Sequence, residues 1–167
     1  GLGFIGKNTL LIIPQKGSYF FLGELIIDKK LDYDEPLKLS CGNCRRCLEA
    51  CPTGALEKPY WLNAGKCISY QTIENKGEID PTLIPCLRNN VYGCDICQQV
   101  CPWNRFAVPH NTPEFFPSDE FLSLDLDVLE EMDEETFRRI FRDSAVKRAK
   151  FQGLKRNIQA LRRLAQK

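Results

Sequence analysis

Cys41-Gly42-Asn43-Cys44-Arg45-Arg46-Cys47-Leu48-Glu49-Ala50-Cys51-Pro52 is the stretch whose reading decides the fold. Four cysteines within eleven residues lie too close together for four separate disulfide loops. Their C-x2-C-x2-C-x3-C-P spacing is that of the bacterial ferredoxin run. In that run three neighbouring thiolates take three irons of one [4Fe–4S] cubane, and the fourth, followed by proline, reaches a second cluster. Gly42 and Gly54 allow the backbone to bend closely and to aim amides at the sulfurs. A structural zinc site draws pairs of close ligands from separate segments, so zinc fits this run poorly.

Further along, Cys94-x2-Cys97-x3-Cys101-Pro102 repeats the end of the same pattern, but Val91 stands where its first cysteine is expected. One thiolate must come from elsewhere, and only Cys67 and Cys86 remain. The exchange rule assigns Cys41, Cys44, Cys47 and Cys101 to the first cluster. It assigns Cys51, Cys94, Cys97 and either Cys67 or Cys86 to the second, and spacing does not choose between those two. The nine cysteines are an odd number, which also argues against a closed disulfide set. Iron-binding thiolates need a reducing compartment, which predicts a cytoplasmic protein.

Outward from this region, Thr9–Ile13 is an apolar run, Pro14–Gly17 is turn chemistry, and Ser18–Ile27 is aromatic and β-branched. The simplest expectation is a β-hairpin across that turn, with Tyr19, Phe20 and Phe21 in the core. Residues 28–40 read as a linker. The segment after Cys101 carries Trp103 and Phe106, expected to wall the cluster from water, and then Pro109, Pro113 and Pro117 in an extended connection with the lone His110. The remainder reads as helical and is electrically split. Glu114–Glu135 holds ten acids and no base, whereas Phe137–Lys167 holds eleven Lys or Arg and one acid. Leu154, Ile158, Leu161 and Ala165 recur at helical spacing, which predicts one buried face and a basic outer one.

These signals set a fold class of α+β, in which a ferredoxin-like domain with two [4Fe–4S] clusters follows a β-hairpin and precedes a helical segment. The boundaries are 1–40, 41–110 and 111–167. A net charge of +1 says nothing about partners. No run of 18 apolar residues is present, so no membrane span is expected, and no signal peptide is visible. The chain opens on Gly1 within an apolar, glycine-rich run and is read as part of a longer protein. Gly1-Leu2-Gly3-Phe4-Ile5-Gly6 matches G-x-G-x-x-G, but no strand precedes it and a β-like run follows, so a nucleotide site is not expected. The glycines are expected instead to allow a tight turn and the approach of a bulky ligand.

Several segments together resemble the epoxyqueuosine reductases. They are Gly1–Thr9, Gly17-Ser18-Tyr19-Phe20-Phe21-Leu22-Gly23-Glu24, the first cysteine run, Lys66-Cys67-Ile68-Ser69-Tyr70 and Tyr92-Gly93-Cys94-Asp95-x-Cys97-Gln98. Cys101-Pro102-Trp103-Asn104 and Ser144-Ala145-x-Lys147-Arg148 complete the set. The resemblance implies a cobalamin-dependent oxidoreductase that converts epoxyqueuosine to queuosine in the tRNA anticodon loop. It implies Cys67 as the remaining ligand of the second cluster and leaves Cys86 as a small buried side chain. It makes residues 1–40 the end of a cobalamin domain, with the hairpin a remnant of it. The proton-donating Asp of the family is expected upstream of residue 1, so no catalytic residue is assigned within the chain. Ser69, Asp95, Tyr19 and Tyr70 are expected near the cobalamin, and Lys76, Lys147, Arg148 and Arg156 near RNA phosphates. An electron donor such as a flavodoxin or a ferredoxin is implied, with the protein a monomer. Two other readings stay open: a reductive dehalogenase-like cobalamin enzyme, and a non-catalytic ferredoxin module that only carries electrons.

Overall fold

The computed structural model describes residues 1–165, the side chain of Ala165 excepted. In chain order its elements are β1 (Phe4–Ile5), β2 (Leu11–Ile12), α1 (Arg46–Ala50), α2 (Ile68–Ile73), α3 (Ile96–Gln99), α4 (Asp119–Leu122), α5 (Leu126–Glu131), α6 (Glu134–Ile140) and α7 (Lys150–Ala165), joined by short 3-10 turns. They form two compact units, Gly1–Asn63 with Asp95–Pro109, and Ala64–Cys94 with His110–Lys167.

The first unit contains a β-hairpin, but not the expected one. Strand β2 pairs antiparallel with β1, Phe4 opposite Ile12 and Ile5 opposite Leu11, and not with Ser18–Ile27. The connecting turn is closed by the Gly6 N–H on the Leu10 carbonyl at 2.8 Å and the Thr9 N–H on the Gly6 carbonyl at 2.9 Å. The Pro14–Gly17 turn does form, and its ladder stops after one bridge, Ile13 to Gly17. Gly17 lies at φ +89°, and the next amide, Ser18 N–H, leaves the ladder to bond Asn104 Oδ1 at 2.6 Å. A side chain at Gly17 would also collide with Asn104. Beyond that point residues 19–40 are exposed throughout and form no strand. Tyr19, Phe20 and Phe21, expected in the core, are surface residues, because the ladder stops at Gly17 and their segment pairs with no strand among the described residues. Gly3 and Gly6 serve packing within the hairpin, since a Cβ at either would press on Ile12.

The second unit is helical. Helix α7 buries Leu154, Ile158 and Leu161 on one face, in the expected stripe; the fourth member, Ala165, lies outside the described side chains. Ile158 and Leu154 pack with Met132, Phe137 and Phe141 from α6 and its flanks. Leu161 and Ala160 pack with Ile68, Ile79 and Leu87. The acidic half of the segment does local work. Ser118, Asp125 and Asp133 cap α4, α5 and α6 by accepting from the Phe121, Val128 and Thr136 amides, and other acids fill the first turns, where the helix dipole favours them.

One polar residue interrupts the buried stripe. Asn157 is fully buried, donates to the Thr72 carbonyl at 2.8 Å and the Val91 carbonyl at 2.9 Å, and accepts from Arg156. Replacing it leaves two carbonyls without their donor. Asn157→Ala is therefore expected to destabilise the protein by about 1–3 kcal/mol, whereas Gln159→Ala, one turn-face away and exposed, should change stability by less than about 0.5 kcal/mol. Urea unfolding of both variants checks this.

Candidate metal centre

Each cysteine run ends in the same way. A short helix, α1 or α3, is followed by a cysteine whose successor is proline. Proline excludes the helical conformation from the residue before it, and Cys51 (φ −66°, ψ 112°) and Cys101 (φ −72°, ψ 121°) are both extended. Helices α1 and α3 pack against each other within the first unit. The result is a cavity lined by Cys41, Cys44, Cys47 and Cys101 together with Asn8, Ile12, Pro102 and Trp103. Trp103 holds its place through an edge-on contact with Phe4 at 5.3 Å between ring centroids.

The loop between β1 and β2 lies over the first cysteine run. The Lys7 amide points at Cys41 Sγ at 3.4 Å, and the Lys7 ammonium bonds the Gly42 and Cys44 carbonyls at 2.6 and 2.8 Å. On the far side, Asn104 Nδ2 bonds the Gln98 carbonyl at 2.8 Å and Ser18 Oγ at 3.0 Å, so the Gly17-Ser18 corner is fixed to the end of the second run. Lys7, Asn8 and Ser18 were not singled out by the sequence, although each lies in a segment that carries the family resemblance.

The thiols feel one another. Burial raises the pKa of Cys47, helped by the charge of Cys41 and Cys101, and burial raises that of Cys101, helped by Cys41 and Cys44. Cys51 behaves differently. Burial pushes its thiol up, but the Leu56, Thr53 and Ala55 amides and the Thr53 hydroxyl outweigh that and lower it. Among the described residues no trio of His, Cys, Asp or Glu is grouped to hold a single metal ion. Four thiols around one cavity suit a [4Fe–4S] core, whose four irons each take one cysteine sulfur.

The other cysteines divide between the units. Cys97 is the second residue of α3 in the first unit, which also holds Cys51. Cys67, Cys86 and Cys94 belong to the second. There, Cys94 packs against the buried cluster that contains Ile68, Ile79, Leu87, Ala160 and Leu161. The Gly93 amide bonds Thr72 Oγ1 of α2 at 2.9 Å.

Residues 40–104 match the family described as 4Fe-4S double cluster binding domain. Over 162 residues the chain is 48% identical to the epoxyqueuosine reductase of Cellulophaga algicola, a match that spans 97% of this chain and 53% of that one. The chain is similar to the epoxyqueuosine reductases over nearly all of its own length. The likeness extends to the fold of the part it covers. It superposes on the epoxyqueuosine reductase of Bacillus subtilis, solved with its catalytic aspartate loop swung out of the active site, with a TM-score of 0.90 at 36% identity, covering 96% of this chain and 43% of that one. It also superposes, with a TM-score of 0.89 at 36% identity and the same coverage, on an epoxyqueuosine reductase crystallised with an epoxyqueuosine-modified tRNA stem loop. The chain thus spans about half the length of the curated epoxyqueuosine reductases it matches.

The residues expected near cobalamin lie in both units. Tyr19 and Asp95 are in the first, where burial raises the Tyr19 pKa and the charges of Asp95, Cys97 and Cys101 add to it. Ser69 and Tyr70 stand in the first turn of α2 in the second. Of the residues expected near phosphate, Arg156 is committed to backbone. Its guanidinium donates to the Asn75, Gly77 and Gln71 carbonyls at 2.6–2.7 Å. Lys76, Lys147 and Arg148 are exposed; Arg148 pairs with Glu74, and Lys76 bonds the Arg148 carbonyl at 3.3 Å. His110 is exposed and stacks on Phe116 at 5.5 Å, and Arg105 covers the Phe106 ring at 4.5 Å.

The cavity makes a direct test. Cys101→Ser is expected to remove the same EPR signal and the same share of iron as Cys44→Ser, despite their distance in sequence. Separate signals lost in the two variants would place them at different centres.

Proposed function

We propose that this chain supplies the electron-delivery and RNA-facing portion of an epoxyqueuosine reductase. The observation that carries the reading is the convergence of Cys41, Cys44, Cys47 and Cys101 on one cavity, joined to similarity that extends over nearly the whole chain. The reaction takes up two electrons and two protons, breaks both C–O bonds of the epoxide, and releases water with formation of the alkene. Two [4Fe–4S] clusters and cobalamin, when bound, would carry the electrons to the epoxide. Cys41, Cys44, Cys47 and Cys101 would hold one cluster, and Cys51, Cys67, Cys94 and Cys97 the other, with Cys86 unligated.

The remaining residues bind, orient and shield. Trp103, Pro102 and Ile12 give the first cavity apolar walls that exclude water. Cys101 also borders an open cleft of about 880 Å³ flanked by Arg46 and Arg105, a suitable place for an acidic flavodoxin or ferredoxin to approach. Tyr19, Asp95, Ser69 and Tyr70 would present hydroxyl and carboxylate groups to cobalamin. Residues 1–40 would close the cobalamin domain, 41–110 would form the ferredoxin-like domain, and 111–167 would face the tRNA. The exposed apolar side chains of Phe21, Leu22, Leu25 and Ile26 support the first of these, since a surface of that kind calls for a covering layer. The proton donor would be the upstream aspartate, and a positioned donor typically contributes about 10²–10⁴-fold.

Lys76, Lys147 and Arg148 would meet phosphate, while Arg156 holds their scaffold. Binding of an epoxyqueuosine-modified tRNA stem loop should therefore weaken as salt rises. Each phosphate contact contributes roughly 0.7–0.9 to the log–log slope. The Lys76→Ala, Lys147→Ala double variant should lower the slope by about one to two with unchanged unfolding, whereas Arg156→Ala should lower stability. Cys101→Ser in the iron- and cobalamin-loaded enzyme should abolish queuosine formation and leave tRNA affinity intact. Retained turnover in that variant, or a salt-independent affinity, would overturn the proposal.

A further inference from the structure

We propose that Asn8 donates a hydrogen bond from its side-chain Nδ2 to a sulfur of the cluster held by Cys41, Cys44, Cys47 and Cys101, and so raises the reduction potential of that cluster; this rests on the iron–sulfur reading above.

Asn8 is only 4% exposed, and its Nδ2 is a buried side-chain nitrogen with no hydrogen-bond partner in the protein. Such an orphan is costly and uncommon in native interiors. It lines the cavity of the four thiols, whose other lining side chains, Ile12, Pro102 and Trp103, offer no acceptor. Sulfur is the acceptor that remains. The orientation of the amide is set from behind. Asn8 Oδ1 accepts from the Leu10 amide at 3.5 Å. A Cβ at Gly6 would stand 2.6 Å from that oxygen, so only glycine there leaves room for the carboxamide.

The backbone around Asn8 carries strain of the kind found at functional positions. Thr9, a β-branched residue, sits at φ +67°. Lys7, on the other side, is tied through its amide to Cys41 Sγ and through its ammonium to the Gly42 and Cys44 carbonyls. Lys7 and Asn8 are thus aimed at the same sulfur cage from adjacent positions. An N–H donor stabilises the reduced cluster, which carries one more negative charge, more than the oxidised one.

The test is a redox titration followed by EPR on the iron-loaded full chain, comparing wild type with Asn8→Ala and Asn8→Leu after iron analysis. Iron content should be unchanged. The midpoint of the cluster whose signal Cys101→Ser removes should move to more negative potential, by the equivalent of a three- to tenfold change in the oxidised-to-reduced ratio, or about 30–60 mV for one electron. The other midpoint should stay in place. A second measurement uses the near-isosteric Asn8→Asp: wild type labelled with ¹⁵N-asparagine and reduced should show by pulsed EPR a nitrogen coupling to the cluster that this variant lacks, the labels at Asn43 and Asn104 being common to both. If the Ala and Leu variants fail to assemble a cluster, that comparison decides. Full iron with unmoved midpoints, or no ¹⁵N coupling that Asn8→Asp lacks, would overturn the role of Asn8 and leave the iron–sulfur reading standing. A wild-type chain that takes up no iron would overturn the reading itself.

Discussion

A thiol cannot be steered to a metal by its own side chain, which has a single rotatable bond beyond Cα. The backbone must deliver it. In the first unit the decisive constraint is that Cys101 stands beside Cys41, Cys44 and Cys47, although a long stretch of chain separates them. Two proline-terminated turns make this possible. Pro52 and Pro102 force their preceding cysteines out of the short helices α1 and α3, and the packing of α1 on α3 then sets the two runs side by side. The hairpin, the Gly17-Ser18 corner and Asn104 are fastened around that arrangement.

The second unit depends on a different constraint, the cost of burying polar groups near a helix of mixed charge. Asn157 and Arg156 together satisfy five carbonyls of the segment from Gln71 to Val91, so α7 is attached to that segment by hydrogen bonds as well as by its apolar face. The split charge of the sequence folds back on itself. Arg162 pairs with Asp127 and Glu130, Arg139 with Glu120, and Arg138 with Glu134. Exposed pairs of this type each contribute little to stability. Their consequence is spatial, because they set part of the basic stretch against the acids that precede it.

What could be read from the sequence follows from how local each signal is. The cysteine runs encode their chemistry in spacing alone, and the stripe of Leu154, Ile158 and Leu161 encodes its helix in a period, so both were legible. The hairpin was misplaced because strand pairing is not local. Thr9–Ile13 could pair on either side, and the choice was made by the Gly6–Leu10 turn and by Asn104 capturing the Ser18 amide. Asn8 and Arg156 looked ordinary for the same reason. One is a polar residue in a turn and the other a base in a basic helix, and only the fold shows the first buried beside the thiols and the second bound to carbonyls.

The aromatic run after Gly17 is the instructive failure. By composition Ser18–Ile27 is a strand, yet Phe21 is 89% and Ile26 99% exposed. A strand exists only as part of a ladder, since its amides and carbonyls need partners and one of its faces needs a core. The ladder that leads into this run ends at Ile13 and Gly17, and residues 19–40 are exposed. The β-propensity of this run is therefore not realised as a strand. The same reasoning separates it from the loop at Lys7–Thr9, where a costly backbone conformation is retained because the cysteine cage it touches lies in the same unit. Strain persists where its compensation is close at hand, and propensity goes unrealised where its partner is not.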